Sequence, residues 1–123
     1  MHGYDPALLT ARLKAEARRI GFDGVGVAEA TLLAGEARRL EAWLGADRHG
    51  GADGAMAWMA GHFDKRIDPR VLVPGARSVV SVFVSYYQSA HPAHAGHVSR
   101  YAWGDDYHAV LKEKLAELFF WLD

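Results

Sequence analysis

Residues 78–87 restrict the possible folds more than any other segment, because their apolar side chains alternate with a period of two. Val80, Val82, Val84 and Tyr86 share one face, whereas the other face mixes apolar residues with serine. This alternation predicts a β-strand. Because one face is wholly apolar and the other partly so, we expect both faces to be covered, with a ligand as one candidate cover.

The rest of the chain is dominated by helical patterns, and only one other stretch, residues 25–28, predicts a strand. Two strands alone form a marginal sheet. We therefore expect the missing strands to lie beyond residue 123 or in a partner chain. The predicted element order is α-β-α-α-β-α, which indicates an α/β (α+β) fold that is incomplete within these 123 residues.

The first predicted helix carries a start signal and a stop signal. Asp5 can cap its N-terminus, and Pro6 suits the first helical position. Gly21 is placed to end the helix in a left-handed conformation. The apolar stripe between these signals consists of Leu9, Leu13, Ala17 and Ile20.

Two further helices are predicted from apolar stripes with helical spacing. Thr31 is expected to cap the first of them, and either Asp105 or Asp106 the second. The two stripes are Leu33, Ala37, Leu40 and Leu44, then Leu111, Leu115, Leu118 and Leu122. The end of the last helix is apolar nearly all round, which predicts a truncated domain or a dimer contact; the residues concerned are Phe119, Phe120 and Trp121.

The connections carry strong turn signals. Residues 45–54 contain four glycines and predict a loop, and residues 55–61 predict a short helix. Residues 62–77 are charged and rich in turns, with Pro74 and Gly75 matching a type II turn directly before the strand. Residues 88–104 predict a long loop, which in a compact domain is usually functional or mobile.

Charge and cysteine content exclude several classes of function. The chain has 14 Lys and Arg against 15 Asp and Glu, a net charge of −1, which argues against a domain whose main task is to grip a phosphate backbone. It has no Cys, so it can supply neither disulfides nor thiolate ligands for zinc or iron–sulfur clusters. We find no apolar run of membrane-spanning length and no signal-peptide pattern, and we expect a cytoplasmic protein.

Three local patterns have a plain interpretation beside a functional one. His91, His94 and His97 could hold zinc, copper or nickel, but proline and glycine between them oppose a regular spacing, and we favour incidental histidines. The glycines of residues 49–54 lack the Lys and Ser/Thr of a phosphate-binding loop. An apolar group (Met56, Trp58 and Met59) could cover a flat ligand, but we favour core packing.

The densest polar constellation is residues 99–108, SRYAWGDDYH, at a predicted loop-to-helix junction. It combines hydroxyl, guanidinium, carboxylate and imidazole groups, and the helix N-terminus adds unpaired backbone N–H groups. Asp106 and His108 could move a proton or orient a ligand. Because the polar density exceeds what a helix cap needs, we favour a functional site here.

Five segments in this order resemble epoxyqueuosine reductases, and together they cover nearly the whole chain. The last two are the most specific. The segments are residues 21–28 (GFDGVGVA), 40–44 (LEAWL), 54–60 (GAMAWMA), 66–80 (RIDPRVLVPGARSVV) and 99–108 (SRYAWGDDYH).

The resemblance implies a cobalamin-binding domain related to flavin nitroreductases and reductive dehalogenases. It implies reduction of epoxyqueuosine to queuosine in tRNA, with cobalamin reduced through two [4Fe–4S] clusters. Carried over residue by residue, it assigns Asp106, Tyr107 and His108 to the catalytic site. It assigns cofactor contacts to Tyr86, Ser99, Arg100 and Tyr101, and no metal ligand.

The chain departs from that family in what it lacks. The family's iron–sulfur domain and tRNA-binding helical repeats are absent, so residues 1–123 are expected to form a single partial cobalamin-binding domain that is inactive alone. The electron donor is not identified by the sequence. The alternative is a stand-alone, non-catalytic module that binds a corrinoid or a partner protein.

Overall fold

The computed structural model describes residues 5–87 and 106–123 and confirms a small α/β chain. These residues form two compact units, one of residues 28–79 and one of the described residues before and after them. The elements in chain order are α1 (Pro6–Ile20), β1 (Gly24–Glu29), α2 (Ala34–Gly45), a 3₁₀ turn (Ala57–Ala60), α3 (Phe63–Ile67), α4 (Pro69–Leu72), β2 (Ser78–Phe83) and α5 (Tyr107–Leu122). The predicted loop of residues 88–104 lies outside the described residues.

Strands β1 and β2 form a two-stranded antiparallel sheet. The N–H of Asp23 donates to the carbonyl of Phe83 at one end (2.9 Å), and the N–H of Ala30 donates to the carbonyl of Arg77 at the other (3.0 Å). β2 ends at Phe83, earlier than predicted. After Phe83 the backbone N–H of Ser85 donates to the Asp23 carboxylate at 2.7 Å, so a side chain replaces the next strand partner.

The described residues do not cover either face of β2 completely, so the predicted cover, with a ligand as one candidate, stays a prediction. Val80 on one face is 38% exposed and Phe83 on the other is 62% exposed. The residues packed against the sheet leave parts of both faces open, since the described chain has only two strands and few helices to cover them.

Helices α1 and α5 pack together around a small apolar core in the unit that excludes residues 28–79. Its buried members are Ala17 and Ile20 of α1, Phe22 between α1 and β1, and Leu118 of α5. Partly buried residues of both strands, the following segment and α5 pack against it: Val25, Val82, Val84, Leu111, Leu115 and Trp121. The apolar end of α5 therefore divides, since Trp121 packs on the core while Phe119 and Phe120 remain exposed.

The predicted ends of α1 are confirmed. The Asp5 carboxylate accepts hydrogen bonds from the N–H groups of Ala7 (3.0 Å) and Leu8 (3.4 Å). Gly21 ends the helix with φ of 111°, a left-handed conformation that favours glycine. The Lys114 ammonium donates to the carbonyl of Ile20 at 3.0 Å, which satisfies one of the acceptors that a helix end leaves unpaired.

In the unit of residues 28–79, the predicted cap of α2 is wrong. The helix begins at Ala34, and Leu33 rather than Thr31 occupies the capping position without a side-chain hydrogen bond. The reason is a tertiary contact, because the N–H of Leu33 donates to the carbonyl of Ile67 at 2.8 Å and holds this residue outside the helix.

Residues 62–77 were expected to be turns, but they contain the short helices α3 and α4. Asp68 caps α4 by accepting from the N–H of Arg70 (3.0 Å), and Pro69 occupies the first position. The predicted turn before β2 is confirmed: Gly75 has φ of 83°, and the N–H of Ala76 donates to the carbonyl of Val73 at 3.1 Å. No helix in the described ranges is long and apolar enough to cross a membrane.

Candidate functional site

The predicted catalytic residues lie together at the start of α5. Asp106 is the capping residue, so the prediction that Asp105 or Asp106 caps this helix is confirmed. One oxygen of its carboxylate, Oδ1, accepts from the backbone N–H of His108 at 3.0 Å. The same oxygen lies 3.1 Å from Nδ1 of the His108 ring. The capping geometry therefore places a carboxylate against an imidazole.

Tyr107 completes this group through its ring. The rings of Tyr107 and His108 are stacked, with centroids 4.0 Å apart and planes inclined by 29°. The stack limits the orientations that the imidazole can adopt. The side chains of Asp106 and His108 are about two-thirds exposed, so the group stands at the surface of the described chain.

The pKa of Asp106 is lowered, first by the hydrogen bond from the His108 backbone and then by that from the His108 ring. Asp106 is therefore a carboxylate at neutral pH and a poor proton donor. It favours the His108 tautomer that carries hydrogen on Nδ1, which leaves Nε2 as the acceptor of the neutral ring. The arrangement suits positioning of His108 by Asp106 and proton exchange at Nε2.

The other predicted site residues belong to different segments of the chain. Tyr86 lies beyond the end of β2 and is 63% exposed. Ser99, Arg100 and Tyr101 lie outside the described residues, as do the three histidines considered for a metal site, His91, His94 and His97. Among residues 5–87 and 106–123, no cluster of three metal-ligating side chains occurs.

The apolar cavity beside β2 and α5 is too small for a corrin. It has a volume of about 100 Å³, and it is lined by Val80, Val82, Leu115, Leu118, Phe119 and Leu122. Sites for small organic ligands are usually several times larger, at roughly 300–1,000 Å³. The cavity is also lined by the second half of α5, whereas the polar group stands at its first residues.

The sequence matches known proteins across most of its length. A family profile described as "Epoxyqueuosine reductase QueG, DUF1730" matches residues 66–123. The epoxyqueuosine reductase of Cyclobacterium marinum is 49% identical over 111 residues, which are 88% of this chain and 34% of that protein. That of Gloeobacter violaceus is 43% identical over 116 residues, 92% of this chain and 34% of that protein.

The chain belongs to the epoxyqueuosine reductase family. It spans about a third of the length of the curated epoxyqueuosine reductases that it matches. No solved structure matches the sequence significantly. The profile match includes β2, α5 and the Asp106 group, so this family's shared sequence contains the candidate site.

One feature of this epoxyqueuosine reductase family member was missed from the sequence. The core-packing interpretation of Met56, Trp58 and Met59 is wrong for the first two, whose side chains are 41% and 60% exposed, whereas Met59 is partly buried. Instead, the guanidinium carbon of Arg66 lies 5.3 Å from the centroid of the Trp58 ring. No single helix or strand spans residues 58–66, so no regular period relates the two side chains, and the turn before α3 brings them together.

Proposed function

We propose that this chain is a segment of an enzyme that reduces epoxyqueuosine to queuosine in tRNA, and that Asp106, Tyr107 and His108 belong to its catalytic site. The observation that carries the proposal is the sequence identity of 49% over 111 residues with an epoxyqueuosine reductase. The profile match over residues 66–123 supports the placement of the catalytic group at the start of α5.

The reaction removes the epoxide oxygen as water and leaves a carbon–carbon double bond, so it consumes two electrons and two protons. In the proposal, His108 exchanges protons at Nε2, and the Asp106 carboxylate positions the ring through Nδ1 at 3.1 Å. Asp106 does not itself donate the proton, because its lowered pKa keeps it ionised. The stacked ring of Tyr107 holds the imidazole in place.

The electrons are proposed to come from cobalamin and two [4Fe–4S] clusters, as the family resemblance implies. This chain has no Cys, so the thiolate ligands of such clusters would come from other polypeptide. Residues 1–123 are then a partial cobalamin-binding domain, with Tyr86, Ser99, Arg100 and Tyr101 as proposed contacts. Because the described cavity is only about 100 Å³, we assign no reaction step to a corrin held by these residues alone. We propose a cytoplasmic enzyme, since its proposed substrate is tRNA.

A chimera tests the proposal. The matching 111-residue segment of the Cyclobacterium marinum enzyme is replaced by this chain, and conversion of epoxyqueuosine to queuosine in tRNA is measured by mass spectrometry. We expect the chimera to be active. His108→Gln should lower the rate at least about tenfold, in line with the loss of a general acid–base group. Asp106→Asn, which keeps a capping oxygen but removes the charge, should lower it less and alter its pH profile.

Asp53→Asn serves as the matched control, since it removes one exposed carboxylate in the glycine-rich loop and should leave the rate unchanged. A folded chimera without activity would refute the assignment of this chain to the enzyme. Full activity of His108→Gln would refute the catalytic role of the group. Titration of the unfused chain with cobalamin addresses the stand-alone binding module, and we expect no change in the corrin absorbance.

A further inference from the structure

A surface on the unit of residues 28–79 has the chemistry of a nucleotide site. We call it the Trp58 surface and define it by Trp58, His62, Lys65, Arg66 and Leu72. Its central feature is the Trp58 indole on the 3₁₀ turn, which is 60% exposed. An exposed tryptophan offers a large planar face on which a flat group can stack.

Arg66 is fixed beside the indole. Its Nε donates to the carbonyl of Gly61 at 2.8 Å, and its Nη2 donates to the carbonyl of Trp58 at 3.1 Å. These two hydrogen bonds hold the guanidinium 5.3 Å from the centre of the ring. The pair is therefore a preorganised combination of an aromatic plane and a positive charge.

An open cavity of about 340 Å³ lies beside this pair, lined by His62, Lys65, Arg66 and Leu72. Among the described residues, its lining contains two cationic side chains and an imidazole but no carboxylate. The nearby carboxylate of Asp68 forms its ion pair with Arg70, at 2.8 Å. Asp68 therefore does not neutralise the charges of Lys65 and Arg66. The volume lies within the range of about 300–1,000 Å³ that small-molecule sites usually have.

His62 is held in a left-handed conformation, with φ of 55° and ψ of 37°. For a residue with a Cβ this conformation is less favourable than the right-handed one. The strain sits at the rim of the cavity, next to the carbonyl of Gly61 that accepts from Arg66. Local strain of this kind is concentrated at binding and catalytic sites.

We propose that the Trp58 surface binds a nucleotide, with the base stacked on the indole and the phosphate held by Lys65 and Arg66. A planar group with an attached anion satisfies the aromatic plane and the cationic cavity together, as in proteins that bind single-stranded nucleic acid. The inference concerns residues 58–72 and binding, whereas the proposed function concerns the Asp106 group and reduction; where the ligand is an RNA strand, the inference rests on the proposed tRNA substrate.

The test uses the 123-residue chain and two probes, uridine 5′-monophosphate and a fluorescein-labelled single-stranded RNA of about eight nucleotides. Affinities are measured by calorimetry and fluorescence anisotropy. Trp58→Ala should weaken binding about 5- to 150-fold, because removing a stacking side chain costs about 1–3 kcal/mol per base. Trp58→Phe should recover part of the loss. Lys65→Gln should weaken binding and reduce its dependence on salt.

Arg39→Gln is the matched control, since Arg39 is an exposed cation on α2 that is paired with Glu36 and lies outside the Trp58 surface. It should bind like the parent chain. Tighter binding of the RNA than of the monophosphate identifies a strand as the ligand, and equal or weaker binding of the RNA identifies a free nucleotide. Absence of binding by either probe, or equal affinities for the parent and a folded Trp58→Ala chain, overturns the proposal. The chimera assay at His108 is unaffected by either result.

Discussion

Leu118→Ala is the substitution for which the structure gives the clearest expected magnitude. Leu118 is 4% exposed and packs with Ala17, Ile20 and Phe22 in the core that joins α1 to α5. Shortening it removes apolar contacts from this cluster. The four residues form nearly all of the buried apolar core of the unit, so the loss cannot be spread over a larger interior.

We expect the free energy of unfolding to fall by about 3 kcal/mol. Replacing a buried Leu by Ala costs about 2–5 kcal/mol, and the value depends on how far the surroundings collapse. Leu118 already lines an apolar cavity of about 100 Å³, so its surroundings are not tightly packed, which places the cost below the upper limit. In a chain of 123 residues this loss corresponds to a fall in melting temperature of roughly 10 °C.

The assay is urea unfolding followed by circular dichroism at the helical band, with Phe120→Ala as the matched control. Phe120 lies on the same helix and is 86% exposed, so its truncation should cost less than about 0.5 kcal/mol. If both variants lose the same free energy, or if Phe120→Ala loses more, then α5 does not bury Leu118 against α1 and the described core is wrong.

Three further substitutions test the helix ends. Gly21→Ala should cost about 1–2 kcal/mol, because Gly21 has φ of 111°, whereas Gly26→Ala, where an added Cβ meets nothing within 4 Å, should not destabilise the chain in the same melts. Asp5→Ala should lower the unfolding free energy by about 1 kcal/mol and Asp5→Asn by much less, since asparagine caps nearly as well; equal losses would contradict the capping role. The pKa of Asp106 is lowered in the folded chain, so the stability that its carboxylate contributes is complete above about pH 4 and is lost as the pH falls through the folded pKa. Asp106→Asn should therefore lose less stability than the parent chain on acidification. Identical acid profiles of the two chains would contradict this.

Local signals predicted the elements whose ends depend on nearby residues. Asp5, Pro6 and Gly21 set the bounds of α1, because a cap, a fixed φ and a left-handed stop act within one turn of the helix. Gly75 similarly set the turn before β2. The cap of α2 could not be predicted in this way, since the carbonyl that holds Leu33 belongs to Ile67, which is distant along the chain.

The candidate site shows the same division. The sequence indicated Asp106 and His108 as candidate functional residues at a helix start, and the structure adds that the capping carboxylate lies against the imidazole. The Trp58–Arg66 pair had no comparable signal. Its two side chains meet only because the turn after Ala60 reverses the chain and two backbone carbonyls fix the guanidinium.

Periodicity, helix caps and identity with relatives are properties of the linear chain, so they were sufficient for the α/β class, the positions of α1 and α5, the family and the polar group at residue 106. Burial is different, because it depends on packing in three dimensions. Leu118 and Phe119 are adjacent and both apolar, yet one is 4% and the other 68% exposed, since burial follows from which face of α5 lies against α1.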